Sequence, residues 1–421
     1  MAQKRYLFTP GPTPVPPEVL AALSEPVLHH RAPDFRAVYE RVLGRLQDVH
    51  RTESEVLLFT CSGTGAFESA IVNLCSPGDR VLAVSAGHFG ERWSAMARTF
   101  GCEVEELAYA WGETPSAEDL ARKLGEIDPV SLVFLVHSET STGVVSDIQA
   151  LAAAAKKADA LVVVDAVSSL GAVALEQDGW GLDVVVAGSQ KALMTPPGLA
   201  TVSVSAAAWE QVARATLPRY YLDWERTRKA QAKLDSAFTP AVSLVVALDV
   251  ALGLLLEPGL DAAFDRHVRL GRACRAGIKA MGLELFSPDE DRSAVVTAAR
   301  MPRPSARRAT WRPIRPKPST PRVLSASSTP PQRERSQRPS LSAACACGML
   351  RASATRSPIV CSAAETTVES GAFATTIPRR VAAFTSTLSI PTPARPITFS
   401  RTARSIMSAV SFVAERITIA S

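Results

Sequence analysis

Residues 303–421 contain no Asp and no Tyr, one Lys and two Gly, yet they hold 17 Arg, 19 Ser and 13 Pro. That stretch has 18 basic residues against 4 acidic ones, whereas residues 1–302 have 28 against 37. The overall charge of +5 therefore averages two unlike parts, and each is read by itself. A run of about 18 uninterrupted apolar residues is lacking throughout, so no segment reads as a simple membrane-crossing helix. The opening MAQKRYLFTPGPTP has no apolar stretch of the kind that directs export. A soluble, cytoplasmic chain with no membrane partner is the expectation, and disulfides are not expected there. The cysteines at 61, 75, 102, 274, 345, 347 and 361 lack any regular framework, and Cys345-Ala-Cys347 has the spacing of neither a zinc knuckle nor a redox pair. Cys61, Cys75 and Cys102 lie among apolar residues and read as buried, reduced thiols. No metal site and no internal repeat is expected.

What is present is a long alternation of two hydrophobic periods. At 421 residues the chain can build two domains and a large core. Short apolar strands are predicted at 56–60, 80–85, 131–137, 161–165, 183–187 and 200–204, with amphipathic helices near 33–50, 64–75, 91–100, 116–126 and 147–158. Runs such as LVVVD and DVVVAGS are apolar on both faces, as suits strands covered by helices on both sides. This order predicts an α/β domain with a mostly parallel sheet, whose ligands gather at the carboxyl ends of the strands. Residues 243–282 read as two helices broken at Glu257-Pro258-Gly259, and 283–286 and 294–299 as the first strands of a smaller domain. The periodicity stops after Met301.

Polar residues follow the predicted strand ends. Gly63-Thr64-Gly65 opens a helix, where backbone N–H groups suit a phosphate, although a glycine turn before a helix is also commonplace. Asp165 ends LVVV and must have a partner if buried; it reads as a cap or ion pair, or as the counter-charge of a protonated ring nitrogen. Lys191 ends the next apolar strand after Gly188-Ser189-Gln190, either as a snorkelling lysine or as a reactive amine. Together they fit one cofactor. Pyridoxal phosphate needs an amine for its aldehyde and a carboxylate at its pyridinium nitrogen. It also needs a phosphate cup, here Ser62-Gly63-Thr64, and a stacking ring, here Phe89.

The stretches TPGPTPVPPEV (9–19), HHRAPDF (29–35), TCSGTGAFESA (60–70), PGDRVL (77–82), GHFGERW (87–93), HSETSTGV (137–144), VDAVSSLG (164–171), GSQKALMTPPGLA (188–200) and FTPAVSL (238–244) resemble the class V, fold-type I aminotransferases. Their order matches the branch that holds alanine–glyoxylate and serine–pyruvate or serine–glyoxylate aminotransferases. The resemblance implies that Lys191 holds the cofactor and moves the proton between substrate Cα and cofactor C4′, and that Asp165 partners the pyridinium. Gly63, Thr64 and Gln190 match phosphate-binding positions, with Ser62 in the same cup. Phe89 matches the stacking aromatic and Thr140 a hydroxyl near the cofactor's 3′ oxygen. Thr239 matches a position that reaches the phosphate of a neighbouring subunit, so a homodimer is implied. The implied organisation is an N-terminal segment (1–25), a cofactor-binding large domain (26–255), the start of a small α+β domain (256–302) and an unrelated tail (303–421).

The family's small domain continues well beyond the strand matching 294–299 and carries an Arg-Ile-Gly whose arginine grips the substrate carboxylate, a bidentate task that suits guanidinium. No Arg-Ile-Gly occurs in 303–421. The tail reads as a disordered extension, as a basic arm for nucleic acid, or as the small domain translated in a shifted frame. Composition favours the last: resemblance stops at Met301-Pro302 inside a domain, the bias fits shifted GC-rich coding DNA, and a nucleic-acid arm would mix Lys with Gly and aromatics. Nucleic acid is therefore not an expected partner. The expected activity is transfer of an amino group from alanine or serine to glyoxylate or pyruvate. A lyase of the cysteine desulfurase type, which needs a loop cysteine, and an inactive cofactor-binding remnant are the alternatives.

Overall fold

In the computed structural model, the residues described are 9–288 and 292–300; the expectations for 303–421, the shifted frame and the missing arginine among them, lie outside these. The chain opens with α1 (Pro17–Ser24) and α2 (Pro33–His50), followed by β1 (Glu55–Phe59), α3 (Gly63–Leu74), β2 (Arg80–Ser85), α4 (His88–Thr99), β3 (Glu103–Ala108), α5 (Ala117–Glu126) and β4 (Leu132–Val136). A two-residue hairpin, β5 (Ser138–Glu139) and β6 (Val144–Val145), leads into α6 (Ile148–Lys156), β7 (Leu161–Asp165), β8 (Val184–Gly188) and β9 (Ala200–Val204). Then come α7 (Ala206–Val212), α8 (Trp224–Gln231), α9 (Val242–Leu256), α10 (Leu260–Ala280), β10 (Glu284–Leu285) and β11 (Ala299–Arg300).

Seven strands form one sheet in the order β1-β9-β8-β7-β4-β2-β3. β9 runs antiparallel to both of its neighbours, and the other pairs are parallel. β1 therefore points the same way as β8, and the carboxyl ends of β1, β2, β4, β7 and β8 share one edge. Every residue of β4, β8 and β9 is buried. Alternate side chains of β7 go to opposite faces: Val162 and Val164 join the core built with α2, α6 and α9, and Val163 joins the core built with α3, α4 and α8. On the second face Trp93 of α4 stacks on Phe134 at 4.5 Å and meets Phe67 of α3 edge-on at 4.4 Å. On the first, α9 is apolar but for Ser243 and Asp249, and the Asp249 carboxylate is gripped by Arg41 and Arg45, one turn apart on α2, at 2.7 and 2.6 Å.

The strands read from sequence fall where expected within a residue or so. β3 escaped notice because Glu103, Glu105 and Glu106 lie on an exposed sheet edge, where burial imposes little pattern. The short helices α1, α7 and α8 lack the length over which a helical period shows. Residues 294–299 do not form the expected strand. Only Ala299 and Arg300 pair, with Leu285 and Glu284. The preceding residues instead pack on the turn before β6, where the Ser293 N–H donates to the Gly143 carbonyl at 2.8 Å. Cys61 is only half-buried; Cys75 and Cys102 are buried as expected, and with Cys274 all are free thiols.

Two histidines are locked inside. His50 at the end of α2 has Nε2 3.1 Å from the Thr201 hydroxyl, and His137 follows β4; burial lowers both pKa values from 6.5 to about 4. The native state keeps them neutral while the unfolded chain protonates them near 6.5, so their contribution is complete above that pH and is lost as pH falls toward 4. Each accounts for on the order of 3 kcal/mol across that window. The urea midpoint should fall between those pH values, and His50→Gln should flatten the fall; parallel curves for the variant and the parent would show that His50 is not held neutral.

Candidate active site

The parallel strands bring five loops to one edge. β1 runs into Ser62 and the start of α3, β2 into Gly87 and the first turn of α4 with Phe89, and β4 through His137 into Glu139 and Thr140. β7 ends on Asp165, and β8 leads through Ser189 and Gln190 to Lys191. Residues up to 129 positions apart in sequence are thus brought to the same edge because these five strands run in the same direction.

Asp165 is 4% exposed. Its Oδ1 accepts one hydrogen bond, from the Val167 N–H at 2.8 Å, and it forms no ion pair among the described residues. Burial pushes its carboxyl up to about 7, and the charge of Glu139 adds to the shift; the Val167 N–H, Lys191 and Arg92 pull the other way. Burial also lowers the Lys191 amine below its ordinary value, and the Asp165 charge opposes this. Nζ of Lys191 donates to the Pro10 carbonyl at 2.9 Å, and the Thr13 hydroxyl holds the Lys191 carbonyl at 2.9 Å. The opening TPGPTP segment thus lies directly against the lysine.

The helix start that follows Ser62 stands beside this pair. A Cβ on Gly63 would lie 3.0 Å from Val167, the residue whose N–H holds Asp165. Ser62 makes no side-chain cap, so the first N–H groups of α3 lack that partner. Arg92 of α4 reaches the Thr64 hydroxyl at 3.2 Å and sits 4.7 Å over the Phe89 ring. Thr140 shares a 2.6 Å hydrogen bond with Ser168. A cavity of about 500 Å³ is lined by Thr140, Ser168, Lys191, His267 of α10 and residues 294–298; Asp165, Phe89 and the start of α3 are not among its lining residues.

The structure thus brings Ser62, Gly63, Thr64, Phe89, Thr140, Asp165 and Lys191 to one edge of the sheet. Gln190 is adjacent, but its side chain folds back toward Gly188 and leaves its buried Oε1 without a partner. Thr239 stands apart, in a separate small cavity with Tyr221 and Phe238. Sequence reasoning overlooked Ser168, Arg92, His267 and the role of Glu139. Three of these lie in motifs already noted, VDAVSSLG, GHFGERW and HSETSTGV, but nothing in a linear motif tells which of its polar residues faces the site. A buried carboxylate without an ion pair, an amine of lowered basicity, a helix start without a side-chain cap and an orphaned amide oxygen fit pyridoxal phosphate.

Comparison with known proteins agrees with this geometry. The sequence profile of the family described as Aminotransferase class-V matches residues 5–302. A protein of Anabaena cylindrica named soluble hydrogenase 42 kDa subunit is 46% identical over 306 residues, 72% of this chain and 80% of that protein. An L-aspartate–glyoxylate aminotransferase of Paracoccus denitrificans is 38% identical over 308 residues, 72% of this chain and 78% of that protein. The crystal structure of an aspartate aminotransferase from Thermus thermophilus superposes with a TM-score of 0.67 at 38% identity, covering 72% of this chain and 84% of that one. The chain therefore belongs to the class-V aminotransferase family, the pyridoxal-phosphate enzymes of fold type I.

Proposed function

We propose that this protein transfers the amino group of a small amino acid, alanine or serine, to a small 2-oxo acid, glyoxylate or pyruvate. The observation that carries the reading is the meeting of Lys191, Asp165 and the uncapped start of α3 at one edge of the sheet, with Lys191 also lining a cavity. When bound, the cofactor supplies the electron sink that lets a proton leave the amino acid's Cα. Asp165 would hold the ring nitrogen's proton, Ser62, Gly63 and Thr64 the phosphate, and Phe89 the ring face. Lys191 Nζ, made less basic by its surroundings, takes the proton at Cα. The cavity walls at Ala192, Gly271 and Ala294 are small, as suits a short substrate side chain. Thr239 lies away from that cavity, which supports a homodimer in which its hydroxyl serves the partner's cofactor.

The substrate carboxylate needs a fixed cation. Among the described residues lining the cavity, Lys191 and His267 can carry positive charge, and Lys191 is committed to the cofactor. The family match ends at residue 302, where the composition changes. We read the chain as an impaired transaminase whose small domain is continued in another frame. Removing one member of a buried charge pair typically costs about 3–5 kcal/mol, enough to cut substrate use a hundredfold or more.

Four outcomes are expected. Lys191→Ala should abolish the visible absorbance of the lysine-bound cofactor; persistence of that band, with a borohydride-stable adduct elsewhere in the chain, would refute the assignment. Asp165→Asn should lower transamination by orders of magnitude. The same change should stabilise the cofactor-free protein at about pH 8 and much less at about pH 5, because the native carboxyl, raised from 3.8 to about 7, favours folding fully only below 3.8 and loses that contribution progressively as pH rises from there to 7. Equal shifts in unfolding midpoint at both pH values would contradict the buried-charge reading. Finally, a frame-corrected chain should convert alanine or serine with glyoxylate or pyruvate far faster than the chain shown; equal, robust activity from both would overturn the frame reading.

A further inference from the structure

The first turn of α4 carries Phe89, yet the helix has no cap of its own, since Gly87 stands at its N-cap with no side chain to offer. The cap comes from another strand. Glu139 of β5, 2% exposed, accepts from the Phe89 N–H at 3.0 Å and the Gly90 N–H at 3.2 Å through Oε2. Its Oε1 accepts from the Ser141 N–H at 3.1 Å and the Ser141 hydroxyl at 2.6 Å. That hydroxyl in turn accepts from the His88 N–H at 3.0 Å. Three consecutive orphan donors of the helix start are satisfied by two side chains from the hairpin after β4. Gly87 makes this possible: a Cβ there would lie 2.5 Å from the Ser141 hydroxyl and 2.7 Å from Glu139 Cγ.

Glu139 is buried without an ion pair among the described residues, a costly arrangement unless donors surround the charge. Four donors do, and two of them belong to the turn that bears the Phe89 ring. A carboxylate at a helix N-terminus is also favoured by the helix dipole. A helix that needed only stability could carry Ser or Asp at its own N-cap. Taking the cap from the hairpin that also bears Thr140 ties two walls of the site to one another.

We propose that Glu139 is a positioning residue for the cofactor: through Ser141 and the first turn of α4 it fixes the Phe89 ring in register with Thr140. The proposal rests on the reading that Phe89 stacks on pyridoxal phosphate. Glu139 itself touches backbone, not cofactor. Glu139→Gln keeps the shape but presents an NH₂ group where one side needs an acceptor, so the ring loosens while the fold persists.

The test uses the full chain stripped of cofactor and titrated with pyridoxal phosphate, with tryptophan fluorescence giving Kd and thermal unfolding followed in parallel. Phe89→Ala and Glu139→Gln should each weaken binding about tenfold, and the double variant should be no weaker than Phe89→Ala alone, because residues acting through one another are not additive. The visible band of the bound cofactor should shift alike in both single variants. An unchanged Kd for Glu139→Gln beside a weakened Phe89→Ala would overturn the proposal, as would losses that multiply in the double variant. An unchanged Kd for Phe89→Ala would instead remove the stacking reading beneath it. If Glu139→Gln does not fold, Ser141→Ala and its combination with Phe89→Ala pose the same question with a milder change: a several-fold loss that vanishes on the Phe89→Ala background supports the link, and no loss or an additive one defeats it.

Discussion

β7 is hydrogen-bonded in parallel to β4 on one side and to β8 on the other, and the site depends on that pairing. The register sets Asp165 beside Val136 and Val186, so the strand's last residue emerges where β4 also ends and two residues short of the end of β8. Because β1, β2, β4 and β8 run the same way, each of their carboxyl ends delivers a loop to the same edge. The core fixes this direction. Side chains of β4, β7 and β8 are buried on both faces, so a slip of one residue would exchange the two hydrophobic clusters and move every polar terminus.

Three buried carboxylates show how differently one charge can be housed. Asp249 is neutralised by two arginines and joins α2 to α9. Glu139 is surrounded by N–H and O–H donors and joins the hairpin after β4 to α4. Asp165 has one backbone donor, and its carboxyl rises to about 7. The first two arrangements are complete within the chain. The third has no ion pair among the described residues, an arrangement that fits a protonated pyridine ring as partner, and the nearby lysine has lowered basicity. Electrostatic tension of this kind belongs to a binding site, where the ligand rather than the fold completes the pairing.

The sequence by itself determined the α/β class, the strands from β1 to β9 apart from β3 and the hairpin strands, and the placement of Asp165 and Lys191 on strand ends. Hydrophobic period and motif order are local properties, so a linear reading reaches them. It also marked the composition break near 302, where the family match ends. Tertiary structure decided what depends on neighbours distant in the chain. It placed β3 as an exposed acidic edge and turned residues 294–298 along a cavity instead of into a strand. It set Thr239 apart from Lys191 and laid Pro10 against the lysine. The cap that Glu139 gives to α4 spans 50 residues of sequence, and no period or motif encodes it. Only the folding of the hairpin after β4 across the end of β2 brings that carboxylate to the helix, because a hydrogen bond needs its donor and acceptor about 3 Å apart whatever their separation along the chain.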